Sequence, residues 1–375
     1  MTTVDFDLRG IVGIRLVDAS TRDVATVRRQ LGPIDLPAGQ ALRREPDIVI
    51  RFVDNLPGQG RLRYLGLQDA AFDDAGFYLL RGRFNAAVRV RIPFERIGGR
   101  CEIVCEAGLP AVPHLVAIVN LTALGHRRLP LHAAGFVHRG LGVLVTGWAK
   151  GGKTETLLGF MARGAAYVGD EWVYLDADAG TMTGLPEPMR LWDWQIRTVP
   201  GLAEAVPAGS RAGLAAIRGT TAAVRALAGV GVLKGRAPGR TISRGLPYLE
   251  RQLAIQLPPA RVFDGRVRDD PVPIDRILFV VSSDRDDIAI ERIDPSDVAE
   301  RSVHSVDHER HDLVATYAKF RYAFPDRHNE LLEGAAVRER ELLRTALAGR
   351  MTLRVEHPYP PHIMAMVDEV DRRLG

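Results

Sequence analysis

Gly147, Gly151, Gly152, Lys153 and Thr154 spell G-x-x-x-x-G-K-T directly after the apolar run Val143 to Val145. This spacing describes a phosphate-binding loop. Glycines let the backbone turn tightly and aim its N–H groups inward, while a helix opening near Thr154 adds unpaired donors and a positive dipole end. A nucleoside triphosphate is the guest such a loop selects. In that reading Lys153 reaches the β- and γ-phosphates and the Thr154 hydroxyl sits on Mg²⁺. Trp148, Ala149 and Lys150 occupy the variable loop positions, and Glu155 follows Thr154. The bland alternative is a glycine-rich turn with an exposed lysine, which the strand before the loop and the helix after it disfavour.

A triphosphate site does not by itself say what accepts the phosphoryl group. Asp170 and Glu171 follow Lys153 by 17 and 18 residues, the length of one helix and one short strand. This places the acidic pair on a strand expected beside the loop, where a carboxylate can hold Mg²⁺ or take a proton from an attacking hydroxyl. His132 precedes the loop on a strand expected to pair beside it. A polar strand end and a satisfied sheet histidine remain the alternatives for these residues.

The elements that must position them follow from periodicity. Residues 1–112 read as β-rich, with strand-like runs at Phe6–Val17, Ile48–Val53, Gly76–Leu80, Ala87–Ile92 and Cys101–Cys105. Ser20 or Thr21 can cap one helix through Leu31. Pro110 and Pro113 mark a boundary, followed by a helix over His114–Gly125. A hairpin, Leu129–Val137 and Leu141–Thr146 joined at His138, Arg139 and Gly140, delivers the loop. A helix over Thr154–Arg163 stops at Gly164. Asp275–Ser282 reads as a buried core strand, and Ser296–Leu374 as mostly helical with Phe320, Tyr322 and Phe324 packed inside.

With 375 residues and 46% apolar content, the chain is long enough for two domains, expected at 1–112 and 113–375. Its net charge of +4 gives no field for a polyanion, so nucleic acid is not an expected partner. Cys101 and Cys105 are too few for a disulfide framework and lie on one strand face as buried thiols, with no second pair to complete a metal site. No leader-like N-terminus and no run of 18 apolar residues occurs, so the expectation is a cytoplasmic protein without a membrane partner. A homo-oligomer is compatible with these bounds. From Arg211 to Arg244 there is no Asp or Glu, and Leu233–Leu246 reads as a basic mobile loop able to meet phosphate, or as a solvated basic face.

The run from Leu131 to Leu175 resembles the C-terminal catalytic domain of HPr kinase/phosphorylase, a family related in fold to phosphoenolpyruvate carboxykinase. The likeness rests on His132, the loop, Glu155 after Thr154, Gly164–Ala165, and the acidic pair after a short apolar strand. It implies an α/β (α+β) fold with a P-loop domain behind a β-rich N-terminal region. It further implies that the loop and Lys153 bind ATP, that Thr154 holds Mg²⁺, and that Asp170 accepts a proton. His132 matches the family's active-site histidine, Glu171 and Glu187 stand for metal-binding carboxylates, and Arg236 for a catalytic arginine. The chain departs from the family at Trp148, Ala149 and Lys150, where a serine and small residues are usual, and at Glu171 in place of Asp. The family's acceptor-binding signature is not recognisable, so HPr itself is not the expected acceptor. The expected partner is a hydroxyl on a peptide, protein or small molecule; some divergent members phosphorylate a peptide serine. The rival reading is a nucleotide-binding regulator or scaffold with little transfer. Carboxykinase-type decarboxylation lacks a recognisable lysine and histidine metal set beyond His132.

Overall fold

The computed structural model describes residues 2–56, 58, 60–82, 87–229 and 252–374. The chain is mixed α/β, built on an eight-stranded, a six-stranded and a four-stranded sheet with a two-stranded ribbon. The first sheet contains β1 (Thr2–Leu8), β2 (Val12–Ala19), β3 (Ile48–Val53), β4 (Arg63–Leu65), β5 (Ala70–Phe72), β6 (Phe77–Arg81), β7 (Ala87–Arg91) and β8 (Cys101–Glu106). The run expected as one strand over Phe6–Val17 is a hairpin instead, because Arg9 and Gly10 both take left-handed φ and turn the chain back. Helix α1 (Thr21–Leu31) starts at Ser20, whose hydroxyl accepts from the Asp23 amide while the Asp23 carboxylate accepts from the Ser20 amide. Cys101 and Cys105 are both fully buried. Burial pushes the Cys101 thiol up to about 12 and Cys105 further, so neither is a nucleophile at neutral pH.

This sheet does not close its core alone. Phe77 and Phe94 meet Phe320 of the helix His311–Ala323 at 5.9 and 5.5 Å between ring centroids. One apolar cluster therefore runs from residues before 112 into the C-terminal helices. Tyr322, expected inside, is instead 74% exposed, since it points away from the face that carries Tyr317 and Phe320.

After helix α2 (Leu115–Gly125) come β9 (Arg128–His132), β10 (Ala134–His138) and β11 (Leu141–Thr146). The strand expected over Leu129–Val137 breaks at Ala133. Its first half, β9, joins the four-stranded sheet with β13 (Trp172–Asp176), β14 (Thr181–Gly184) and β17 (Val272–Pro273). Its second half pairs with β11 through a two-residue turn in which Arg139 and Gly140 both have positive φ. The six-stranded sheet has the order β12 (Ala166–Gly169), β10, β11, β18 (Arg276–Ser283), β20 (Met351–Pro358), β19 (Ala289–Arg292). A ribbon of β15 (Met189–Trp192) and β16 (Ala254–Leu257) lies outside it. The C-terminal stretch is mostly helical as expected, but β20 interrupts it and becomes a central strand. β11 is parallel to β18 and β18 to β20, and β12 runs the same way through antiparallel β10. Their carboxyl ends gather at one edge, where open α/β sheets bind ligands.

The helix Pro295–Glu309 crosses that edge and is fixed at its far end by a buried ion pair. Arg310 reaches Glu339 with a fork of 2.5 and 3.0 Å, and Glu339 has no solvent exposure. Replacing Glu339 by alanine is expected to lower the unfolding free energy by about 3–5 kcal/mol, because a lone buried guanidinium remains. A urea-unfolding midpoint equal to that of the wild type would show that Arg310 is held by its exposed neighbour Asp307 alone.

Candidate active site

The loop from Gly147 to Gly152 joins the end of β11 to helix α3 (Lys153–Met161). Two of its glycines are required by space as well as by φ. A Cβ on Gly147, at φ +152, would lie 2.4 Å from the Val280 carbonyl oxygen, and one on Gly152, at φ +103, would lie 2.4 Å from His357 Nε2. His357 is fully buried and its Nε2 sits 2.9 Å from the Gly151 carbonyl, so β20 supports the loop from below. The Gly151 amide closes the turn onto the Trp148 carbonyl at 3.0 Å. Among the described residues, the amides of Ala149, Lys150, Gly152, Lys153 and Thr154 donate to no backbone carbonyl. Free N–H groups clustered at a helix start are able to receive an anion.

Lys153 is only 6% exposed and folds back over the loop, donating from Nζ to the carbonyls of Gly147 (3.1 Å) and Trp148 (3.0 Å). Burial pulls its pKa down, while Glu171, Asp170, Glu309 and Glu155 oppose the shift. The Thr154 hydroxyl donates to Asp170, 3.1 and 3.3 Å from its two carboxylate oxygens. Glu155 points to helix α4 (Asp193–Thr198), where its carboxylate accepts from Gln195 Nε2 at 2.9 Å.

Asp170 and Glu171 form the tight link between β12 and β13. The strand is not adjacent to the loop strand, as the sequence spacing suggested, because β10 intervenes. Glu171 takes φ +63, and the Trp172 amide bonds the Asp170 carbonyl at 2.8 Å. A non-glycine residue in the left-handed region is a strained conformation of the kind found at working sites. His132 arrives from β9, not from a strand beside β11. The β9–β13 register sets His132 opposite Trp172, and its Nε2 lies 2.9 Å from Glu171 Oε2. Its Nδ1 lies 2.9 Å from Glu309 Oε1, a charge contact off the line of a hydrogen bond.

The electrostatics are those of crowded carboxylates. Burial, then the neighbouring charge of Glu171, pushes Asp170 up to about 7, with the Thr154 hydrogen bond opposing. Burial, then Glu171 and Asp170, holds Glu187 well above the usual carboxylate range, and its Oε1 is buried without a hydrogen-bond partner. For His132 burial pulls downward, but Glu171 and Glu309 outweigh it and leave the ring above its ordinary value. His132, hydrogen-bonded to Glu171 and in close charge contact with Glu309, keeps both carboxylates low.

Asp170 thus gives a signed pH expectation for the protein free of nucleotide and metal. The unfolded chain releases this proton near pH 4, whereas the folded protein holds it to about 7. Between those values the unfolded state binds fewer protons, so stability falls as pH rises and levels off above the window. Asp170→Asn is expected to flatten this part of the profile, read as urea midpoints from about pH 4 to 8; an unchanged slope would place its origin elsewhere.

The structure brings His132, Lys153, Thr154, Asp170 and Glu171 together, with Glu187 coupled by charge. Arg236 and the Leu233–Leu246 segment lie outside the described residues. Sequence reasoning missed Glu309, His357 and Gln195. Glu309 sits in the mixed charge run Asp307–Asp312, which carries no motif, and His357 lies on the strand that was read as helix. Among the described residues no group of three or more His, Cys, Asp or Glu is arranged to hold a metal by itself. A Mg²⁺ that arrives with phosphates needs only one or two protein ligands. No protein-family model matches the chain, and no curated protein matches it significantly. Among the described residues no helix is long and apolar enough to cross a membrane.

Proposed function

We propose that this chain is an ATP- and Mg²⁺-dependent phosphotransferase of the HPr kinase-like P-loop fold, acting on a hydroxyl of a peptide, protein or small molecule. The observation that carries this reading is the Thr154 hydroxyl held on the Asp170 carboxylate, beside the free amides of the loop. Those amides and Lys153 receive the phosphate chain, and the chain's end then faces Asp170. The partnerless buried Oε1 of Glu187 and the crowding that raises Asp170 fit a divalent cation, with Thr154, Glu171 and Glu187 as its holders. Mg²⁺ held there would supply positive charge against the phosphates of the nucleotide.

Asp170 takes the proton of the incoming hydroxyl, aided by a pKa near the working pH. His132, gripped by Glu171 and Glu309, keeps Glu171 ionised and aimed at the site. The test is calorimetric titration of the purified protein with ATP, with and without Mg²⁺, followed by phosphate release from labelled ATP. Mg²⁺-dependent binding with slow hydrolysis is the expected result, and absence of binding would end the nucleotide reading. Binding without any turnover would favour the regulator.

A further inference from the structure

On the flank of the loop away from the carboxylates there is a cleft of about 440 Å³, within the usual size of small-molecule sites. Its floor is the end of β18, Phe279 to Val281, and its far wall is the helix Pro295–Glu309 through Ser302 and Ser305. Trp148 closes it from the loop side. This indole is half exposed and stacks on His308 at 5.0 Å between ring centroids. Ser282 lines the cleft, and its hydroxyl is buried with no hydrogen-bond partner among the described residues. Among the described residues no Asp or Glu lines the cleft, whereas Lys150 and Arg301 do.

We infer that this cleft receives the nucleoside end of the bound nucleotide, a planar heteroaromatic base with its ribose, an inference that rests on the function proposed above. The sheet order decides the direction. Asp170 lies toward β12 on one side of β11, and β18 is on the other, so a phosphate chain whose end meets Asp170 leaves the loop toward β18. The same helix supports both ends, since Ser302 and Ser305 face the cleft while Glu309 reaches His132. An apolar floor, a stacking indole and an unused hydroxyl suit a flat ring bearing polar edge atoms better than a charged acceptor.

The test compares ATP with inorganic tripolyphosphate, each in Mg²⁺ buffer, by calorimetry on the full chain. Wild type should bind ATP more tightly than tripolyphosphate by about tenfold or more, the scale of a well-stacked ring. Ser305→Trp, which fills the cleft, should weaken ATP about tenfold and leave tripolyphosphate unchanged. Ser282→Ala, a change small enough to preserve folding, should weaken ATP alone by about fivefold, one lost hydrogen bond. Equal affinity of the wild type for the two ligands would overturn the inference. So would ATP affinity that survives in folded Ser305→Trp or is unaltered in Ser282→Ala, including the case in which transfer is lost and the cleft belongs to the acceptor. If neither ligand binds wild type, the nucleotide reading itself fails.

Discussion

Asp170→Asn is expected to slow phosphoryl transfer by about 10²- to 10⁴-fold while ATP affinity changes little, the loss that follows removal of a positioned general base. The amide keeps an oxygen that can accept the Thr154 hydroxyl, now at 3.1 Å from Asp170, so the local shape survives. It also removes a buried carboxylate from a crowd that includes Glu171 and Glu187, so folding should not suffer. The measurement is transfer or phosphate release beside nucleotide affinity, wild type against variant, at saturating Mg²⁺. Affinity collapsing together with rate would make Asp170 a metal ligand and Glu171 the better candidate for base. No change in either would remove the transfer reading, and the nucleotide-binding regulator would become the leading reading.

Lys153→Ala should abolish turnover and weaken ATP by about tenfold to a hundredfold, since each charge-assisted hydrogen bond to phosphate contributes about 1.5–3 kcal/mol. Lys153 is the buried cation among Glu171, Asp170, Glu309 and Glu155, so its loss also leaves their repulsion less opposed. Circular dichroism and unfolding curves must therefore accompany the kinetics. Lys150→Ala is the internal control. Its side chain is exposed at the mouth of the cleft rather than folded over the loop as Lys153 is, and its removal should cost little turnover. Equal losses for the two variants would mean that their roles are misassigned. Unchanged kinetics in folded Lys153→Ala would remove the nucleotide reading.

The loop from Gly147 to Gly152, set between a strand and a helix, was legible in the sequence because its determinants are local. Gly147 and Gly152 need φ values that other residues resist, Lys153 and Thr154 follow at fixed spacing, and an apolar strand must precede them. The same locality made α1, the hairpin turn and the buried strand β18 readable, although the turn is one residue shorter than expected because His138 belongs to β10. Periodicity failed where continuation and interruption look alike. Nothing in Leu129–Val137 marks Ala133 as the point where the chain changes sheets, because both halves are apolar and buried.

Only the tertiary structure decided what surrounds the loop. His132 meets Glu171 through the β9–β13 register, and Glu309 reaches the same ring from 177 residues further along the chain. His357 supports Gly151 from a strand 206 residues away. A carboxylate in a charged helix end and a histidine in a strand carry no local signature. What distinguishes them is burial beside another charge, and burial is set by how sheets and helices pack, which spacing along the chain does not encode.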